Sequence, residues 1–228
     1  MKRVLCLALI LVLLFSSLAA AAKLPGEILE EAAAVLKEMT QQPDSEQLQS
    51  MLRTAHGVAI FPSVIKAGLG VGGRYGEGVV LRRDESTGKW YGPYFVEMMG
   101  LSYGLQIGLQ NISLVLVVAT EEGIKSLQEG RITLGGNISL AAGPVGRSAE
   151  AGTDIQLKAA MYSYSMSRGV FAGASLEGST INNNASANRV YWDGDMTPRQ
   201  MLNQEAKGEA IQALLDELNR ISTEGPEG

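Results

Sequence analysis

Residues 67–80 read AGLGVGGRYGEGVV, and the way they are read decides the fold. Gly68, Gly70 and Gly73 spell G-x-G-x-x-G, the fingerprint of a dinucleotide-binding turn. Such a turn needs a strand before it and a helix after it, because the helix N-terminus takes the pyrophosphate. It also needs an acidic residue about 20 positions further on, at the end of a second parallel strand. The residues that follow here, RYGEGVVLRR, place β-branched side chains and further glycines at alternate positions and make a poor helix. Gly68, Gly70, Gly72, Gly76 and Gly78 share one parity, so an extended strand would carry one bare face. Gly104 and Gly108 repeat the device in LSYGLQIGL. A strand face without side chains lets a second backbone approach closely or lets the sheet bend sharply. The stretch is therefore read as a bent or closely packed strand rather than a phosphate cradle.

Outward from it, the pattern on the N-terminal side is helical. In PGEILEEAAAVLKEMTQQ, residues 25–42, Ile28, Leu29, Ala32, Val35, Leu36 and Met39 fall on one face. Pro43 ends that helix, and Asp44 or Ser45 caps a second one carrying Leu48, Met51, Leu52 and Ala55. VAIF, 58–61, then reads as a short buried strand stopped by Pro62. On the C-terminal side, DESTGK, 84–89, is a polar turn joining VVLRR to WYGPYFVEMM as a hairpin. LSYGLQIGLQ alternates, with Leu101, Tyr103, Leu105, Ile107 and Leu109 on one face. ISLVLVVA, 112–119, is apolar throughout and predicts a central strand covered on both faces.

Thr120 caps a short helix that Gly130 ends. RITLGGNISLAA, TDIQLKAAM and YSYSMSRGVFAGASLEG return to strand patterns. INNNASAN, 181–188, reads as a polar surface loop and RVYW as a last edge strand. Thr197-Pro198-Arg199-Gln200 is a capping box that opens a C-terminal helix bearing Ile211, Leu214, Leu215, Leu218 and Ile221. Helices, a long run of strands and a closing helix predict an α+β fold: a curved or barrel-like antiparallel β-sheet with N-terminal helices and a C-terminal helix packed on it. A lipid-spanning barrel would need strands of about 9–11 residues. The flanking helices and the charged run Arg82-Arg83-Asp84-Glu85 argue against one.

The chain opens MKRVLCLALILVLLFSSLAAAAK. A basic start, an apolar run from Val4 to Leu18 and small residues to Ala22 are read as a cleaved signal peptide, residues 1–22. Residues 23–222 then form a single domain and 223–228 a disordered tail. Cys6, the only cysteine, leaves with the peptide, so neither disulfide nor thiolate chemistry is expected. With Lys2 and Arg3 gone, 19 basic residues become 17 against 24 acidic ones, a net −7. An acidic domain is a poor general binder of nucleic acid. His56 is the only histidine. Zinc sites draw on several His or Cys ligands, and no G-x-S-x-G elbow accompanies His56, so it is given a structural or capping role. No catalytic residue, metal or cofactor is expected.

Several long segments together resemble one family. They are GVAIFPSVIKAGLGVGGRYGEGVV, YGLQIGLQ, ITLGGNISLAAGPVGR, EAGTDIQLKA, YSYSMSRGVFAGASLEG and the YW before the last helix. In this order, from about Leu24 to Ile221, they resemble the SYLF domain. The resemblance implies a non-enzymatic, lipid-binding domain: eukaryotic members bind phosphoinositides and other anionic lipids, and some fungal members bind actin. It further implies a part for an N-terminal amphipathic helix and for basic residues. Here the helix would offer Ile28, Leu29, Val35 and Leu36 to a membrane, although Glu27, Glu30, Glu31 and Glu38 give it the wrong charge for an anionic surface. Among the basic residues, Lys66, Arg74, Arg147 and Arg168 lie in motif segments at expected strand ends and are candidates for lipid head groups. Arg82, Arg83 and Lys89 form a second candidate patch.

Together with the N-terminal segment, this predicts an exported, periplasmic or cell-envelope protein that contacts phospholipid. The alternative is an envelope structural or protein-interaction module.

Overall fold

One hairpin organises the molecule. Strand β1 runs without interruption over Gly57–Arg83 and β2 over Trp90–Val118. They pair antiparallel from Gly57–Val118 at one extreme to Arg83–Trp90 at the other. The structure, a computed structural model, describes residues 23–144, 159–171 and 176–223. The expected signal peptide, most of TDIQLKAAM, Arg147 and residues 224–228 lie outside these.

The glycine stretch is the middle of β1, and β1 doubles back on itself there. The amide of Arg83 donates to the carbonyl of His56 at 2.8 Å, so the two ends of one strand meet. Between them the two halves of β1 touch backbone to backbone. A Cβ on Gly78 would stand 2.5 Å from the Ile60 carbonyl oxygen, and one on Gly76 would stand 2.7 Å from that of Ser63. Any side chain at these two positions would hold the halves apart. The pairing with β2 slips between Leu69 and Val71, at the crest of the bend. Both roles expected of bare strand faces, close approach and sharp curvature, are present.

Further strands extend the edge of β2. β3 (Arg131–Thr133), β4 (Leu140–Ala142), β5 (Met161–Ser167), β6 (Val170–Phe171) and β7 (Thr180–Asn183) complete a sheet of seven strands among the described residues. Its order is β3-β7-β2-β5-β4, with β1 on the other side of β2 and β6 on β5. The β4–β5 pair is parallel, so the strongly curled sheet, a half-barrel, is mixed rather than wholly antiparallel.

Apolar layers cover both faces. On one lie α1 (Pro25–Thr40), α2 (Glu46–Thr54) and the C-terminal helix α6 (Glu209–Thr223). Ile28, Leu36, Leu52, Leu214 and Leu218 meet Val58, Ile60, Val79, Leu81, Val115 and Val117 there. On the other, α3 (Glu121–Gln128) and residues of β3 and β7 cover Ala59, Phe61, Val80, Leu114, Leu116 and Val118. Leu114 to Val118 are all fully buried, as the unbroken apolar run predicts. Each such side chain contributes roughly 1.5–3 kcal/mol by leaving water.

Several expectations are corrected. Pro62 does not stop a strand. It sits where the β1–β2 pairing shifts between Phe61 and Val64, a bulge that needs no N–H donor. WYGPYFVEMM, LSYGLQIGLQ and ISLVLVVA are not separate strands but consecutive parts of β2. INNNASAN is not a surface loop. Its first residues form β7, and Asn184 caps α4 (Ala185–Trp192) by accepting from the Ala187 amide at 3.1 Å. Asn188 is buried and accepts from Phe95 N–H at 2.8 Å while donating to Phe95 C=O at 2.7 Å, as a strand partner would. RVYW belongs to α4, where Tyr191 packs against Phe95. The capping box at Thr197 opens only the one-turn α5 (Pro198–Met201), and α6 begins later.

Candidate functional site

The bend of the hairpin gathers most of the large apolar side chains that the described residues leave exposed. Ile65, Leu101 and Leu109 are 43%, 63% and 73% exposed, and Tyr75 and Met99 stand out beside them. Their register explains the exposure. Leu109 pairs with Ala67 and Leu101 with Gly73, so no cross-strand side chain of any size covers them. The position of a Cβ on Gly73 meets only the Gly100 carbonyl, at 4.0 Å. Sequence alternation put Leu101 and Leu109 on one apolar face, but nothing local distinguished a face that is covered from one that is not.

Two of the candidate head-group residues come together at this bend. Lys66 pairs with Gln110 and Arg74 with Gly100. Burial pushes the Lys66 ammonium below its ordinary pKa, and the positive charge of Arg74 adds to the effect. Arg74 itself is only 7% exposed. Its Nη2 donates to the Leu101 carbonyl at 3.3 Å, and burial lowers its pKa. It therefore supplies positive charge behind the surface rather than an open guanidinium. Arg168 is exposed in the β5–β6 turn, where it and Gly169 both have positive φ, +53° and +75°. Met166 pairs with Ser113, so this turn reaches past Ser113 along the opposite edge of β2 from Lys66. The fourth candidate, Arg147, lies outside the described residues.

The remaining candidates are engaged elsewhere. Ile28, Leu29 and Leu36 are buried and Val35 half-buried beneath the layer of α6, so the apolar face of α1 is core and not a membrane-contacting face. What α1 shows to water is chiefly Glu27, Glu30, Lys37 and Glu38. In the second patch, Arg82 donates through Nε to the Leu202 carbonyl at 2.8 Å and lies over the Tyr91 ring. Arg83 donates through Nη1 to the Arg53 carbonyl at 2.5 Å, and Lys89 pairs with Glu205 at 2.7 Å. That Glu205 contact raises the Lys89 pKa. These residues pin the closed end of the hairpin, far from the bend. His56 works there too: its amide donates to Val118, its carbonyl accepts from Arg83, and its Nε2 lies 2.9 Å from Glu85 Oε1.

Among the described residues no three His, Cys, Asp or Glu side chains gather as a metal site would require, and no helix is long and apolar enough to cross a membrane.

Comparison with known proteins matches residues 99–221 to the family model Ysc84, described as Las17-binding protein actin regulator. The mouse SH3 domain-containing YSC84-like protein 1 is 34% identical over 207 residues, covering 86% of this chain and 60% of that protein. In Saccharomyces cerevisiae, Protein YSC84 is 39% identical over 174 residues, covering 75% of this chain and 36% of that protein. LAS seventeen-binding protein 3 of the same yeast is 40% identical over 155 residues, or 67% of this chain and 33% of that protein. The chain thus spans between about a third and three-fifths of the curated relatives it matches.

These relatives overturn the exported, periplasmic location expected from residues 1–22. They come from eukaryotes, which have no periplasm, and carry names tied to SH3 domains and Las17 binding; the family is described by actin regulation. A family match over more than half of the chain, together with the curled hairpin and its covering helices, makes this chain a member of the Ysc84 family, whose domain is the SYLF domain.

Proposed function

We propose that the domain is a non-enzymatic binding module that lays the bend of its hairpin on an anionic phospholipid surface. The observation that carries this reading is the exposed trio Ile65, Leu101 and Leu109 on one face of the bend, whose other face carries Lys66 and Arg74, with Arg168 across β2. Apolar side chains enter the boundary between head groups and acyl chains, and adjacent cations attract anionic lipid. The whole chain is acidic, net −5, so the attraction is local and falls off within a Debye length of about 10 Å at 0.1 M salt. Co-sedimentation with phosphatidylcholine vesicles containing phosphatidylserine tests it. The chain pellets with them at low salt, less at high salt, and much less after Leu109→Glu or Lys66→Glu. No pelleting at low salt overturns the reading.

A second reading is favoured by the relatives' names, which include Las17 binding and actin regulation. In it the same bend docks a protein of the actin machinery. Lipid-free pelleting with actin filaments, lost in Leu109→Glu, would assign the bend to protein.

A further inference from the structure

The closed end of the hairpin contains a cavity of about 160 Å³ between β1, α3 and the segment after α5. His56, Arg82, Arg83, Lys125, Glu121 and Asn203 line it. One water needs only ~10–15 Å³, so the cavity has room for a small polyatomic group. It lies nine residues of strand, roughly 30 Å of path, from Lys66 at the bend.

Arg82, Lys125 and the chain's only histidine line this pocket, with Arg83 next to Arg82 along the strand. Arg82 commits Nε to Leu202, which leaves its guanidinium most of its five N–H donors, while Arg83 turns to the α2 side and commits Nη1 to Arg53. The Arg83 Nε is buried and makes no hydrogen bond. Carboxylates already sit at the rim. Glu121 contacts Lys125 at 2.9 Å, and Glu85 contacts His56 at 2.9 Å. Both carboxylates are exposed, on side chains free to swing out into water. Each makes its short contact with one side chain, whereas a tetrahedral dianion presents acceptor oxygens in several directions at once. Guanidinium groups are suited to such oxygens through paired, charge-assisted hydrogen bonds.

We infer that this pocket binds the phosphate group of a small soluble phosphomonoester, displacing Glu121 and Glu85 from its rim. The site is independent of the bend and of the reading given to it.

The single histidine makes the test direct, because its ring protons report the pocket without assignment of other signals. Sodium phosphate, and separately glycerol phosphate, is titrated into the full chain at constant ionic strength while the His56 resonances are followed by NMR. The signals move saturably, and Lys125→Gln weakens the apparent affinity about 3- to 10-fold. Glu121→Gln tightens it about 3-fold, since a competing carboxylate is gone. Both substitutions fall on exposed side chains, so neither threatens the fold. Movement no larger than sodium chloride produces, or identical titrations in wild type and both variants, overturns the inference. Vesicles containing phosphatidic acid carry the same monoester on a membrane. Pelleting with them that free phosphate competes away and Lys125→Gln weakens would place a lipid head group in the pocket and overturn the soluble-ligand assignment. Leu109→Glu separates the two sites: it leaves the phosphate titration unchanged even if vesicle binding is lost.

Discussion

The two ends of one hairpin are built from the same alternation and meet opposite fates. At the closed end, Val58, Ile60, Val79 and Leu81 face one layer of helices while Ala59, Phe61 and Val80 face the other cover, and all are fully buried. At the bend, Ile65, Leu101 and Leu109 stand in water. Both regions are extended strand paired in the same ladder. The difference lies in what arrives to cover each face, and glycine marks it in two distinct ways. Gly76 and Gly78 are bare because another backbone fills the space, whereas Gly73 is bare beside open space.

The sharpest way to break this comparison is a pair of methyl groups. Gly78→Ala drives a Cβ into the Ile60 carbonyl and the Phe61 ring, so it lowers stability by about 3 kcal/mol or prevents folding. Gly73→Ala stays within about 0.5 kcal/mol of wild type. Denaturant melts of the two variants decide the matter, and equal losses would remove the distinction between packed and open glycines.

A somewhat smaller effect is expected at the polar stitch that holds α4 to the covered end of the sheet. Asn188→Ala leaves the amide and carbonyl of Phe95 without their side-chain partner, at a cost of about 2–3 kcal/mol in the same assay.

The clasp between α1 and α6 comes next. Thr40 Oγ1 donates to Glu217 Oε1 at 2.7 Å, and Arg220 Nη2 donates to the same oxygen at 2.5 Å. Burial alone would raise the Glu217 pKa, but the Arg220 and Thr40 hydrogen bonds and the Arg220 charge bring it below its ordinary value. A carboxyl depressed in the folded state stabilises above its unfolded pKa, about 4.3, and that stability is lost as pH falls through the folded value. Glu217→Gln therefore costs about 1–2 kcal/mol at neutral pH, and the gap to wild type closes in acid. A gap that persists in acid contradicts the charged clasp.

The smallest stability effect belongs to the bend. Leu101→Ser and Leu109→Ser change the melting free energy by no more than about 0.5 kcal/mol. The same variants lose vesicle pelleting, which sharpens the contrast between residues that hold the fold and residues that face a ligand.

Much of the fold was legible because its signals are local. The helical spacing of Ile28, Leu36, Leu214 and Leu218, the Thr120 cap, the DESTGK turn and the parity of the glycines all appear in the structure as read. The failures share a cause as well. INNNASAN looked too polar to pack because composition does not reveal that Phe95, 93 residues away from Asn188, presents a backbone pair for that side chain to satisfy. RVYW looked like a strand because its β-branched and aromatic residues favour one, yet the Asn184 cap and the contact of Tyr191 with Phe95 make it a helix. Of the candidate site, Lys66 and Arg74 were visible as cations flanking glycines. The exposure of Leu101 and Leu109 at the same bend was not visible, and the apolar face of α1 lies under α6. The location inferred from the first 22 residues is overturned by the eukaryotic relatives, which no property of those residues reveals.

The amino-acid sequence by itself determined the flanking helices, the bend and the family, since periodicity, caps and bare strand faces are properties of neighbouring residues. Tertiary structure alone decided that three strand patterns fuse into one β2, that Arg82, Arg83 and Lys89 brace the closed end, and that Leu101 and Leu109 remain exposed. Burial is settled by which layers arrive from distant parts of the chain, and no local pattern carries that information.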